Sequence, residues 1–289
     1  MEKDDVLRKI YSKIDEIPTL PAVVPKLLSL IESDKTNASD IADVISNDPA
    51  LASKILKVAN SAYYGFSHQV SSLKLAMPLL GNNMVRSLAL SIGVIRNLPS
   101  GRKSANFSDK GLWVHSLAVA TLMQELGKRS AKGDNKEHLF IIGLLHDIGK
   151  VVLNQFFGEL FQKVLEEVNN QEIEGLHIVE RRLIGFDHGE VGAILLKRWN
   201  FPDVVNNPIA AHHKVELPEG TNAHDLAVLR IANALPQELG LGQEGNPVPP
   251  VISEQDLKVV QMGENELEEM KDYLLGIKDD IYTLFDAMI

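Results

Sequence analysis

Five histidines and one aspartate carry most of the chemistry this chain could perform. His115, His146, His188, His212 and His213 fall at helix faces or helix starts in the middle of the sequence, and Asp147 directly follows His146. Imidazole nitrogen with carboxylate oxygen suits divalent Fe, Mn, Ni, Co or Zn. Helices that each contribute one inward side chain are how bundles build such sites. An adjacent His-Asp pair can also serve a two-ion centre, with the carboxylate bridging. Lys150 lies one helical turn beyond His146, where it could hold a phosphate or polarise a leaving group. Each residue also has a plainer reading. A single histidine on an apolar stripe is commonly a hydrogen-bonded core residue, and Asp147 could simply cap or orient a neighbour. The set is more specific than its members, because packing alone does not call for four helices with an inward histidine each.

The elements that must position these residues read as helices. Ser108-Asp109 caps a helix with the stripe Leu112, His115, Val119, Leu122 and Leu126. The next helix is expected to carry Leu139, Ile142, His146, Gly149 and Leu153 on one face. In both, the spacing is 3, 4, 3, 4 and a histidine replaces a hydrophobe. Asp187 caps a helix starting at His188, and Asn207-Pro208 is expected to start the helix before His212 and His213. Upstream, Ile17-Pro18-Thr19-Leu20-Pro21 is extended, and Pro25 lies in the first turn of a helix running to about Ser33. Helices follow Asn37 and Asp48-Pro49. Leu98-Pro99-Ser100-Gly101 reads as a boundary, and Asn246-Pro247-Val248-Pro249-Pro250 as a stiff break. Beyond it, Leu267, Met270, Leu274, Ile277, Ile281 and Leu284 form an apolar face that must dock on its own domain or on a second chain, as in a homodimer. The expected organisation is all-α: a helical lobe over 1–104, a second lobe with the metal site over 105–245, and a helical tail over 246–289.

Composition bounds the function classes. The 289 residues hold 29 Lys plus Arg against 39 Asp plus Glu, a net charge of −10, and no cysteine. Disulfides, thiolate metal sites and cysteine nucleophiles are thereby excluded. The acidic balance argues against nucleic-acid binding. A helix-turn-helix built from the two helices after Asn37 and Pro49 would offer only Lys54 and Lys57 as cations on its second helix. No leader is expected after the charged Met1-Glu2-Lys3-Asp4-Asp5, and no apolar run approaches the roughly 18 residues of a membrane span. The expected setting is cytoplasmic, with no membrane partner.

The motifs carry a family resemblance. Leu144-Leu145-His146-Asp147-Ile148-Gly149-Lys150 resembles the signature of the HD superfamily of metal-dependent phosphohydrolases. Ile17–Pro21, Ile45–Leu51, Val58–Gly65, Ala76–Gly81, Asp187–Ala193 and Leu229-Arg230-Ile231-Ala232-Asn233 resemble the HDOD (HD-related output) domain, over residues 10 to beyond 240. The resemblance implies an all-helical, two-lobed fold, with an N-terminal bundle packed on an HD-like domain. It implies a bacterial regulatory module acting on signalling proteins or on a phosphate-containing small ligand. It also implies metal ligands at His115, His146, Asp147, His188 and His212; the adjacent His213 is a further candidate ligand whose plainer reading is structural. Asn233 stands where the superfamily has a late aspartate ligand, which counts against hydrolysis; the amide is the usual HDOD residue. His212-His213 is followed by Lys214-Val215-Glu216-Leu217-Pro218 without a Gly-Tyr-Pro element, so cyclic-di-GMP phosphodiesterase activity is not supported. The alternative is a metal-dependent phosphohydrolase, with Asp147 holding the ion and Lys150 steadying the phosphate. No receiver, kinase or cyclase segment is read here, so input is expected in trans or through the HDOD domain itself.

Overall fold

In the computed structural model, residues 3–30, 37–98, 107–129, 138–171 and 174–289 are described. The helices in chain order are α1 (Lys3–Glu16), α2 (Val23–Ser29), α3 (Ala38–Ser46), α4 (Pro49–Ala59), α5 (Leu73–Leu80) and α6 (Asn82–Ile95). The middle of the chain forms α7 (Asp109–Arg129), α8 (His138–Leu145), α9 (Ile148–Phe156), α10 (Gly158–Gln171), α11 (Leu176–Leu183) and α12 (His188–Arg198). Then come α13 (Asp203–Ala211), α14 (Ala223–Glu238), α15 (Glu254–Val260), α16 (Glu264–Gly276) and α17 (Lys278–Met288). Among the described residues the only β pairing is an isolated bridge between Phe107 and Glu244.

The fold is all-α and divides into two compact units that do not follow chain order. One unit takes residues 1–17 and 99–276; the other takes 18–98 and 277–289. The first segment of the smaller unit ends at Leu98, inside the expected boundary, whose remaining residues lie outside those described. The expected end of α2 near Ser33 is also outside them.

The smaller unit is built around α6. Its residues Met84 to Val94 are all buried, the mark of a helix surrounded by partners rather than amphipathic. Helices α2, α4 and α5 pack on it. The expected caps are present. Asn37 and Asp40 form a reciprocal capping box on α3, and Asp48 accepts from the Leu51 amide with Pro49 at the first turn of α4. Such caps satisfy backbone donors that a helix start otherwise leaves unpaired. Lys54 and Lys57 donate to the backbone carbonyls of Met288 and Asp286 at the end of α17. The cations of the candidate recognition helix are thus spent on the negative end of a helix dipole.

The tail is shared. Its α16 packs on α7 and α14, burying Met270 and Leu274, while α17 packs on α4, burying Ile281, Leu284, Phe285 and Met288. The apolar stripe is therefore covered within the chain.

The larger unit holds the five candidate histidines. There α7 packs on α8 and α14, α9 on α12, and α12 and α8 on α13. Two expectations change. The helix expected across 139–153 is two helices, α8 and α9, with a turn at His146–Asp147. Within one helix, consecutive side chains diverge by about 100°; at a junction both can face one point. The helix before His212 begins at Asp203, after Pro202 in extended conformation, and Pro208 lies inside it. Residue 208 is well past the first turn, so Asn207-Pro208 is no start signal, and His212 is instead the C-terminal cap.

The stretch His138–Phe156 has the length and mean hydropathy (1.4) of a membrane span. It reaches that length only by including Asp147 and Lys150, and 89% of it is buried inside the fold.

Candidate metal centre

Four places in the fold bring the six predicted His and Asp ligands together. His115 comes from the middle of α7, His146 and Asp147 from the α8–α9 turn, His188 from the start of α12, and His212 and His213 from the end of α13. All but His213 are at most 5% exposed. They gather as two groups, His115 with His146 and Asp147, and His188 with His212 and His213; within each group the ligand atoms lie within 4.8 Å of one another. Asp147 links the groups. Its Oδ2 lies 3.4 Å from His146 Nε2 and 3.8 Å from His115 Nε2, and its Oδ1 lies 3.1 Å from His188 Nε2.

Backbone geometry fixes the imidazole tautomers. His146 Nδ1 donates to the Gly143 carbonyl at 2.7 Å, and His212 Nδ1 donates to the Ile209 carbonyl at 2.7 Å. Both are partners three residues back, at a helix C-terminus. Each ring therefore turns a lone-pair Nε2 inward, and both Nε2 atoms are buried without a hydrogen-bond partner. Asp147 Oδ1 is buried and unpartnered too, since its approach to His188 lacks hydrogen-bond alignment. His188 Nδ1 is held at 2.6 Å by Glu180, whose carboxylate also accepts from the His188 amide. A carboxylate or carbonyl on the outer nitrogen of each ring is the usual second layer around a metal-bound histidine. Unsatisfied buried polar atoms are costly. Three converging here, all good donors to a borderline divalent ion, fit a resident metal held by His146, Asp147, His188 and His212. When bound, that ion would supply Lewis-acid polarisation or conformational bracing.

The electrostatics follow from burial. His115 is pushed down to about 3, because burial penalises its charged form more than Asp147 restores it. His212 and His213 are held well below the ordinary imidazole range by burial and by neighbouring histidines. His188 is the exception: burial lowers it, yet the Glu180 charge outweighs this and raises it to about 9. Asp147 is held well below the carboxylate range; burial opposes ionisation, and His146, Lys150 and His188 overcome it.

Three predicted residues take less direct places. Asn233 Oδ1 accepts from His115 at 2.9 Å and from Gln237 at 3.2 Å. His213 presents Nε2 to His188 Nε2 at 2.9 Å and stacks on His177, with ring centroids 4.1 Å apart. Lys150 is 2% exposed, and its ammonium pairs with Asp147 at 2.7 Å and with Glu244. Burial lowers its basicity, but the two carboxylates more than compensate and hold it above the ordinary ammonium range. Sequence reasoning missed Glu180, His177 and Glu244. Glu180 was findable: it is a carboxylate on the buried stripe Leu176, Val179, Glu180, Ile184. Glu244 sits in a loop with no periodicity, placed by the Phe107 bridge and by glycines at 240, 242 and 245 in the left-handed region.

The family model for the HDOD domain matches residues 17–215. The chain belongs to the HDOD family. An uncharacterized protein of Treponema pallidum (strain Nichols) is 33% identical over 208 residues, 71% of this chain. The match covers 39% of that protein, so this HDOD chain spans less than half of its relative's length. An HDOD domain protein of unknown function from Geobacter sulfurreducens superposes with a TM-score of 0.81 at 25% identity, covering 99% of this chain and 97% of the other. A structure from Marinobacter aquaeolei VT8, provisionally named a signal transduction protein, gives 0.84 at 21% identity over 99% and 66% of the two chains. One from Shewanella amazonensis SB2B, provisionally named a phosphohydrolase, gives 0.75 at 22% over 97% and 98%. The last two speak for the fold alone.

Proposed function

We propose that this HDOD protein is a regulatory module of the bacterial cytoplasm. It works through contacts with signalling proteins, with another copy of itself, or with a phosphate-containing ligand, and a divalent ion braces its larger unit. The supporting observation is that the centre is closed off. His115, His146, Asp147, His188 and His212 are all buried, Asn233 replaces a carboxylate, and the Lys150 ammonium is already paired twice. A hydrolase needs its phosphate ester to reach the ion and needs charge free to receive it. A bracing ion needs neither, and stabilises whichever conformation holds its ligands together.

The second reading, a metal-dependent phosphohydrolase, draws on the same inward Nε2 atoms and on Asp147. Metal content and turnover separate the two. Untagged protein is analysed for metal beside a His146→Ala, Asp147→Ala double variant, and both are assayed on p-nitrophenyl phosphate and nucleotides. The regulatory reading expects metal in the wild type, loss in the variant, and no turnover that depends on Asp147. Turnover abolished by Asp147→Ala would establish the hydrolase instead.

A further inference from the structure

We infer that the centre takes one ion, on the side of Asp147 that faces His188 and His212, and that the Lys150 ammonium occupies the charge position of a second ion on the other side. This rests on the metal-site reading above and specifies how this chain fills it.

The two oxygens of Asp147 have different surroundings. On the Oδ1 side, Oδ1 and His212 Nε2 have no hydrogen-bond partner. His188 Nε2 stands 3.1 Å from Oδ1 and 2.9 Å from His213 Nε2, with its outer nitrogen anchored by Glu180. His146 Nε2, also unpartnered, lies 3.4 Å from Oδ2. On the Oδ2 side two other positions are taken. Oδ2 accepts from Lys150 at 2.7 Å. His115 Nε2 faces Asn233 Oδ1 at 2.9 Å; the amide oxygen can only accept, so this imidazole nitrogen carries its proton and has no lone pair to offer. Asn233 Oδ1 accepts a second bond from Gln237, and Gln237 is tied through Asn246 to Glu244, the other partner of Lys150. The closed side is thus one continuous hydrogen-bonded network.

Charge supports the same division. Asp147, Glu180 and Glu244 are each at most 4% exposed and formally contribute three negative charges; Lys150 contributes one positive, and His188 counts as neutral once its Nε2 holds the ion. A single divalent ion balances the remainder. A second would add two positive charges beside a neutral amide, and burying uncompensated charge is strongly unfavourable.

The test uses cobalt(II) as probe. The full chain is stripped with chelator and titrated, with stoichiometry read by metal analysis and ligation by the cobalt d–d absorption. One cobalt per chain is expected. His212→Gln should weaken binding at least tenfold and change the spectrum, whereas His115→Gln should leave affinity within about threefold and the spectrum unchanged. Circular dichroism checks folding, and Asn233→Ser reads the same closed side if His115→Gln does not fold. The double variant Lys150→Gln, Asn233→Asp, which removes the ammonium and restores a carboxylate, should bind a second cobalt. Two ions in the wild type, loss of the ion in His115→Gln or Asn233→Ser, or no second ion in the double variant would each overturn the inference while leaving a metal site in place. A wild-type chain that takes no cobalt would overturn the metal reading as well.

Discussion

Replacing Lys150 with methionine should be among the most destabilising single changes in the larger unit. Methionine keeps much of the aliphatic stem and removes the charge. It leaves Asp147 and Glu244, 1% and 4% exposed, without their shared ammonium. Breaking one partner out of a buried ion pair typically costs about 3–5 kcal/mol, because the remaining charge is stranded away from water. Here two carboxylates are stranded, so the upper half of that range is expected in metal-free protein. Adding Glu244→Gln removes one stranded charge. The double variant should therefore recover about 1–2 kcal/mol relative to Lys150→Met, a coupling of the size seen between contacting residues. The assay is urea unfolding in chelator, followed by tryptophan fluorescence. Both tryptophans, Trp113 and Trp199, are buried in the larger unit, so the signal reports that unit alone. At a slope of about 3 kcal/mol per molar urea, the single variant's midpoint should fall by about 1.3–1.7 M. A loss below about 1 kcal/mol, or additive single effects in the double variant, would refute the buried network.

Two further outcomes follow from close contacts and charge. A Cβ at Gly149 would lie 1.9 Å from the His188 carbonyl oxygen and 2.7 Å from the Gly192 nitrogen, where ordinary contact needs 3.4 Å or more. Gly149→Ala should therefore push α9 from α12, cost about 1–3 kcal/mol or more in the same unfolding assay, and weaken cobalt binding by separating Asp147 from His188; an unchanged midpoint would contradict the packing. At the α8–α14 contact, burial raises Asp225, but the hydrogen bond from His138 at 2.7 Å and the His224 imidazole 3.7 Å away prevail and lower it from 3.8 to about 2. A depressed carboxylate stabilises the fold fully above its unfolded value and loses that contribution as pH falls. Roughly 1–2 kcal/mol should thus disappear between about pH 4 and pH 2, and Asp225→Asn should flatten this limb of a pH–stability curve. A variant with the wild-type acid limb would count against the contact.

Much of this protein was readable from residue order because its physics is local. Helix periodicity, the Asn37, Asp48 and Asp187 caps, and the appearance of histidine on apolar stripes depend on neighbours within a few positions. That sufficed for the all-helical class and for His115, His146, Asp147, His188 and His212 as one constellation. The family motifs added Asn233. Other features depended on distant partners. The α8–α9 turn at His146–Asp147 has an unbroken helical pattern in sequence, and the close packing of Gly149 on α12 just beyond it involves residues about 40 positions away. Lys150 read as a free cation until Glu244, 94 residues away, was brought beside it. The tail read as one amphipathic stripe, yet α16 and α17 serve different units. The reason is common to all three. Local spacing determines which face of a helix is apolar and where its ends are capped. Which charge meets which, and therefore which oxygen of Asp147 remains open to an ion, is determined only when segments far apart in sequence desolvate against one another.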